Sequence, residues 1–279
     1  MNRRLVEIVT ALVCTVFLVA GVAGGVVFAR GAEEGINTAA ASDEPPGGAY
    51  EELSTPLPTD VTDSRTAVPW YRDGAERGVC PIRNGVPYVD AQALCAALGL
   101  DVTTRVSGSS YTLVGDAAIR ADDGECWFRC GGRCVYVSDG VYALDGHLYL
   151  PLDALADCLG VTVWLDPAAW QITVGGEASP PDGSESYCDE TDLYWLSRVI
   201  SAEAGGEPFE TQLYVGGVIL NRVADESFGG SVYDVIFEKN QFDVVINGMI
   251  YMEPEESACV AACLALEGVD VTDGSLYLD

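Results

Sequence analysis

Ser197 to Val223 reads SRVISAEAGGEPFETQLYVGGVILNRV, two apolar helical runs interrupted at Ala204-Gly205-Gly206-Glu207-Pro208. Upstream, Asp189 or Thr191 can cap a helix on which Leu193, Leu196, Ile200 and Glu203 follow at spacings of three, four and three. These spacings make a single stripe, so Glu203 is expected to point where the leucines and the isoleucine point. A carboxyl on a buried stripe loses solvation, its pKa rises, and it can hold a proton near neutrality, as a general acid must. Gly205 and Gly206 end the helix and leave space beside Glu203; Gly also suits the left-handed cap. Spacing alone equally admits a glutamate in solvent at a helix end. The second run, Leu213 to Leu220, is apolar on all sides and is expected to be the central buried helix of its region. Gly216-Gly217 would let another helix approach it closely.

The ordered set of Glu203-Ala204-Gly205-Gly206-Glu207-Pro208-Phe209-Glu210, a helix ending Leu220-Asn221-Arg222-Val223, then Val235-Ile236 and Gln241-Phe242 closely resembles the cell wall hydrolase family of the spore-cortex-lytic enzymes (SleB-like). The resemblance runs from about Asp192 to Tyr277. It implies a mainly α, lysozyme-like catalytic domain at 188–279 and a single catalytic Glu, aligned with Glu203, acting on peptidoglycan glycan strands. One Glu suffices for lytic transglycosylation. It protonates the leaving glycosidic oxygen and then, as carboxylate, takes a proton from the muramic acid 6-hydroxyl that attacks the anomeric carbon. The implied product carries a 1,6-anhydro-muramoyl end, and neither metal nor organic cofactor is needed.

Glycoside hydrolysis, the alternative, ordinarily uses two carboxylates, and Glu207 and Glu210 are the nearest candidates for the second. Glu207, Asn221, Gln241 and Phe242 are the candidate substrate contacts. Each has a plainer reading: Asn221 and Arg222 as capping or pairing groups, Phe242 as core. Family members continue past the point at which this sequence stops, Asp279. A C-terminally shortened, non-catalytic wall-binding protein is therefore the third reading.

Working outward, a second pattern emerges when the chain is slid on itself by 61 residues. Gly85 to Val102, GVPYVDAQALCAALGLDV, aligns with Gly146 to Val163, GHLYLPLDALADCLGVTV. Each copy reads as strand, short helix, Gly stop and strand, with Pro151 suited to a first helical turn and Gly99 and Gly160 to the left-handed position. Between the copies, Tyr111 to Val114 and Cys126 to Val137 read as hairpin segments, the latter turning at Gly131-Gly132. The pattern resembles the copper amine oxidase N-terminal-like domain, a small α+β module, over 77–176. Nothing here calls for copper, since the one histidine, His147, stands at a strand start and reads as a surface imidazole.

Gly176 to Ser186 is a Pro-, Gly- and Ser-rich stretch, which places a linker at 177–187. Residues 31–76, rich in Pro, Gly, Ser, Thr and acid, read as a solvated tether in which Trp70 and Tyr71 make the first ordered contact. Before it, Ile8 to Ala29 are 22 uncharged, largely apolar residues. That is enough to span a bilayer and longer than the about 7 to 15 of a cleaved signal core. Residues 1–30 are thus expected to be a membrane anchor with everything after Arg30 outside, secretion after cleavage at Val27-Phe28-Ala29 being the alternative. The whole is read as α+β: membrane helix, repeat domain, mainly α catalytic domain.

Acidic residues number 43 against 14 basic ones, a formal charge of −29, which excludes tracking a nucleic-acid backbone. Ten cysteines raise metal and disulfide readings. Cys126, Cys130 and Cys134 are spaced by four, unlike the paired two-residue spacing of zinc ribbons. Cys95, Cys158, Cys259 and Cys263 fall within apolar helical patterns and read as small core residues, although some cysteines outside the membrane can oxidise.

Overall fold

The computed structural model describes residues 51–52, 66–181 and 188–278. The expected membrane segment 1–30, most of the tether and residues 182–187 of the second linker lie outside them. No helix among the described residues is long and apolar enough to cross a membrane.

The first region is built of strands β1 (Glu51–Glu52), β2 (Ala67–Arg72), β3 (Ala75–Arg83), β4 (Val86–Asp90), β5 (Val102–Ser107), β6 (Ser110–Gly115), β7 (Ile119–Asp122), β8 (Trp127–Cys130), β9 (Arg133–Tyr136), β10 (Tyr142–Leu144), β11 (His147–Pro151), β12 (Thr162–Asp166) and β13 (Gln171–Gly175), with helices α1 (Ala91–Ala97) and α2 (Leu152–Cys158). One sheet runs β1-β12-β13-β2-β3-β4-β11-β10 and the other β5-β6-β7-β8-β9. Both aligned segments take the same course. In the first, Asp90 Oδ1 caps α1 by accepting from the Gln92 and Ala93 amides at 3.0 and 3.4 Å. Gly99 and Gly160 follow the two helices at φ 78° and 71°, a conformation that only a residue without Cβ adopts at no cost. The equivalent strands β4 and β11 pair antiparallel, Leu150 opposite Val89. They share one core with Leu94, Cys95, Leu155 and Cys158. His147 is exposed and pairs with Asp90 Oδ2 at 2.8 Å, so the imidazole links the two copies at the surface.

Ordered structure starts earlier than the tether reading placed it. Strand β2 lies inside 31–76 because Val68 and Trp70, at alternate positions of an extended segment, are both core residues. The beginning of the second linker likewise lies against the first region: the Ser179 amide donates to Leu159 O at 2.8 Å. A Cβ on Gly131 would come within 2.7 Å of Pro181 O.

The second region is helical: α3 (Glu190–Ala204), α4 (Phe209–Ala224), α5 (Val232–Phe237), α6 (Asp243–Asn247), a 3₁₀ turn (Met249–Tyr251) and α7 (Glu256–Leu266). Asp189 caps α3, its Oδ1 accepting from the Thr191 and Asp192 amides at 2.8 and 3.0 Å. Helix α4 is the buried centre, burying Leu213, Val215, Val218 and Ile219 together with both glycines of the Gly216-Gly217 pair. A Cβ on Gly216 would lie 3.0 Å from Ile200 on α3 and 3.2 Å from Ala265 on α7, so the pair does permit close helix approach. On Gly217 it would lie 2.6 Å from Thr272 Cγ2.

The β8–β9 hairpin, turning at Gly131 as the sequence leads one to expect, lies against these helices. Trp127, Cys134 and Tyr136 belong to the helical core. The ring of Phe209, in the first turn of α4, sits 6.3 Å from Trp127 and 6.5 Å from Tyr136. Around the rim, Arg133 pairs with Glu267 at 3.5 Å, and Arg120 and Arg129 reach Glu256 at 3.4 and 3.9 Å.

Candidate active site

Glu203 occupies the last turn of α3. Leu196 and Ile200, earlier on its stripe, are fully buried, but Glu203 itself is exposed. The stripe reading thus fails by one turn. Ala204 beside it is still core, so only the face that carries Glu203 loses its cover, and Gly205 and Gly206 carry no side chains to shield the carboxyl. The pKa consequence nevertheless remains: partial desolvation, aided by the charge of Asp243, holds Glu203 above the ordinary carboxylate value. The chain leaves the helix without a left-handed residue at Gly205 (φ −60°), which passes that role to Gly206 (φ 82°). Gly205 is required for another reason, because a Cβ there would fall 2.3 Å from Ser201 O. The same hypothetical atom would lie 3.8 Å from the Glu255 carboxyl carbon, and the Glu255 amide donates to Ser201 Oγ at 3.1 Å. Acidic side chains therefore surround the glycine turn.

A second carboxylate whose charge is felt at Glu203 is Asp243, which the sequence reading missed. It opens α6 immediately after Gln241-Phe242, and an acid in the first helical turn was the available signal. Glu207 and Glu210, proposed for that role, are exposed on the turn after Glu203. The Glu207 carbonyl accepts from Gln212 Nε2 at 3.0 Å, and the Glu210 carboxyl takes the Cys126 thiol at 3.7 Å.

The remaining candidates divide. Asn221 Nδ2 donates to Thr272 Oγ1 at 2.7 Å and to Ser275 O at 2.9 Å, so its amide binds the C-terminal segment to α4. Arg222 is buried. Its Nε donates to Leu276 O at 2.7 Å and Nη1 to Gln241 Oε1 at 3.4 Å. Its guanidinium lies 5.2, 5.6 and 5.8 Å from the ring centroids of Phe228, Phe242 and Tyr277. Of the two readings left open for Phe242, core is the one observed, at 4 % exposure. Gln241 is exposed, with its amide oxygen turned to Arg222. Arg222 thus joins the end of α4, the Gln241-Phe242 turn and the C-terminal segment, and through that turn it positions Asp243.

Also missed was a ring cluster centred on Trp195 of α3. Its centroid lies 4.9 Å from Tyr194, 5.0 Å from Phe237, 5.5 Å from Tyr233 and 6.4 Å from Tyr251. Tyr194, Tyr233 and Tyr251 are exposed. The spacing of Tyr233 and Phe237 by one helical turn was the signal; the two rings stack at 4.4 Å. Among the described residues, no group of three or more His, Cys, Asp and Glu is placed to hold a metal ion.

Comparison with known proteins bears on this region. Residues 206–278 match the model of the Cell Wall Hydrolase family, beginning three residues after Glu203. The chain is 42 % identical over 86 residues to the spore cortex-lytic enzyme of Bacillus subtilis (strain 168), covering 31 % of this chain and 28 % of that protein. It is 40 % identical over 88 residues to the spore cortex-lytic enzyme of Bacillus cereus, covering 32 % and 34 %. The chain thus spans about a third of the length of these curated relatives. Among solved structures it is similar to the catalytic domain of the germination-specific lytic transglycosylase SleB from Bacillus anthracis, at 39 % identity over 32 % of this chain and 73 % of that one, with a TM-score of 0.31. The helical region therefore carries a cell wall hydrolase domain with spore cortex-lytic homologues.

Proposed function

We propose that the helical region cleaves the glycan strands of peptidoglycan as a lytic transglycosylase, with Glu203 as its acid and base. The carrying observation is a carboxyl exposed at the end of α3, hence reachable by a polymer, yet with a raised pKa, hence able to keep its proton. A proton held near the working pH is what leaving-group protonation requires. After transfer, the same carboxylate takes the proton of the attacking muramic acid 6-hydroxyl. The rings around Trp195 support a sugar ligand, because aromatic faces pack against apolar sugar faces. Trp195 precedes Glu203 by eight residues on one helix, about 12 Å along its axis, so both act on one extended strand. Similarity to spore cortex-lytic enzymes supports the cortex as the wall concerned. The charge of Asp243 near Glu203 supports a second reading, hydrolysis with Asp243 activating water.

The remainder of the proposal rests on the sequence. Ile8 to Ala29 anchor the chain with the folded regions outside the membrane, and 77–176 form a unit that resembles the copper amine oxidase N-terminal-like module. The test is mass analysis of products from purified peptidoglycan. Anhydro-muramoyl ends, lighter by one water than hydrolysed ends, are expected, and Glu203→Gln should lower their release at least about a hundredfold while leaving the fold intact. Reducing ends would transfer the assignment to hydrolysis. An inactive wild-type chain would favour the non-catalytic reading, and an active Glu203→Gln variant would remove Glu203 from the chemistry.

A further inference from the structure

Three cysteines meet where the hairpin, the entry to α3 and α7 come together. The Sγ atoms of Cys188 and Cys263 are 3.9 Å apart, and Cys134 of β9 shares a hydrogen bond with Cys263. Their exposure differs. Cys134 is buried in the helical core, whereas Cys188 and Cys263 are half-buried and open to a dissolved reagent. The reading of Cys263 as plain core is corrected accordingly: its helix presents it at the seam between the two regions. Beside it, Glu267 Oε1 accepts from the Cys263 thiol at 3.4 Å, and Arg133 holds the other oxygen of Glu267 at 3.5 Å.

We propose that Cys188 and Cys263 form a thiol–disulfide exchange site, closing to a disulfide that ties the entry of α3 to the last turns of α7. The oxidant is an external disulfide. The Cys188 thiolate attacks one of its sulfurs and expels one thiolate, giving a mixed disulfide on Cys188. Cys263 then passes its proton to Glu267 and attacks the Cys188 sulfur, expelling the second thiolate. Two protein thiols are oxidised by two electrons, one external disulfide is reduced to two thiols, and the released protons are taken up by the departing thiolates through solvent. Burial raises the Cys188 thiol pKa, whereas the hydrogen bond with Cys134, with burial behind it, raises that of Cys263 far more, so of the two Cys188 attacks first and Cys263 depends on its carboxylate neighbour. A sulfur–sulfur bond is about 2.05 Å long, so the pair must close by roughly 2 Å from 3.9 Å, within reach of side-chain rotation and a small shift of the unhelical residues at Cys188. The hydrogen bond with Cys263 lowers the Cys134 pKa, but Cys134 is buried in the helical core and stays reduced because the core shields it from the reagent.

The site is independent of the glycan-cleaving reading and is tested without an activity assay. The full chain, reduced and then exposed to oxidised glutathione, is alkylated and digested without reductant for mass analysis. A peptide pair joined through Cys188 and Cys263, lighter by two hydrogens than the separate peptides, is expected. It should persist in Cys134→Ser and disappear in Cys188→Ser, with both variants checked for native circular dichroism. Alkylation of both Cys188 and Cys263 after oxidation, or a bond from Cys263 to Cys134, would overturn the proposal.

Discussion

In the sheet region each aligned segment contributes a strand and a helix to one core around Val89, Leu94, Leu150 and Leu155, whereas the helical region fills part of its core with Trp127, Cys134 and Tyr136 from the β8–β9 hairpin. The difference follows from size and pattern. Two copies of a strand-helix unit bury each other's apolar faces, while in the helical region Phe209 of α4 is covered by Trp127 and Tyr136 of the hairpin. Phe209 follows Glu203 by six residues, across the glycine turn. The hairpin thus packs on the first turn of α4, the helix that follows the glycine turn. Regions that look separable in sequence therefore share packed side chains.

The sharpest way to break this contrast is Trp127→Ala. Removing a buried indole from a shared core should cost about 3–5 kcal/mol. If the helical region depends on the hairpin, the loss will appear as unfolding of α3 and α4 by hydrogen exchange at lower denaturant. Unchanged protection of those helices would show the helical region to be self-sufficient. Loss of Glu203 itself, the hundredfold fall in cleavage already stated, is equivalent to about 2.7 kcal/mol of barrier and should leave that protection untouched.

Smaller and more local is Asp189→Ala, which removes the single N-cap oxygen that accepts from two amides of α3. About 1 kcal/mol of stability should be lost, read from the denaturant midpoint, with cleavage unaffected under conditions where the chain stays folded. The smallest effect concerns pH. Asp243 raises the Glu203 pKa, as the secondary cause after desolvation. In Asp243→Asn the pKa of Glu203 should fall. A general acid works while protonated, so the alkaline limb of the pH–rate profile should move to lower pH, with desolvation still keeping it above that of an ordinary carboxylate. An unmoved limb would show that Asp243 does not face Glu203 in the working enzyme, and a collapse in rate at all pH values would instead support Asp243 as the hydrolytic base.

What the amino-acid sequence determined by itself is local in origin. The Asp189 cap, the end of α3 at the glycine pair, the uniformly apolar α4, the 61-residue repeat and the hairpin at Gly131-Gly132 each depend on residues within a turn or two of one another, where helical period, capping and backbone freedom act directly. Tertiary packing decided the rest. The stripe through Leu193, Leu196 and Ile200 identified the face of Glu203 but not where the core under that face ends, so a carboxyl expected inside is exposed. Asp243 lies 40 positions from Glu203, and its charge is felt there only because α6 packs near α3. Asn221 and Arg222 had two readings each in sequence, and their hydrogen bonds to the carbonyls of Ser275 and Leu276 come from beyond α7, more than 50 positions away. Cys188 and Cys263 stand 75 positions apart and are neighbours because α3 packs on α7. Partners this distant are selected by the burial of whole helix faces, a property of the assembled core that no short stretch of chain contains.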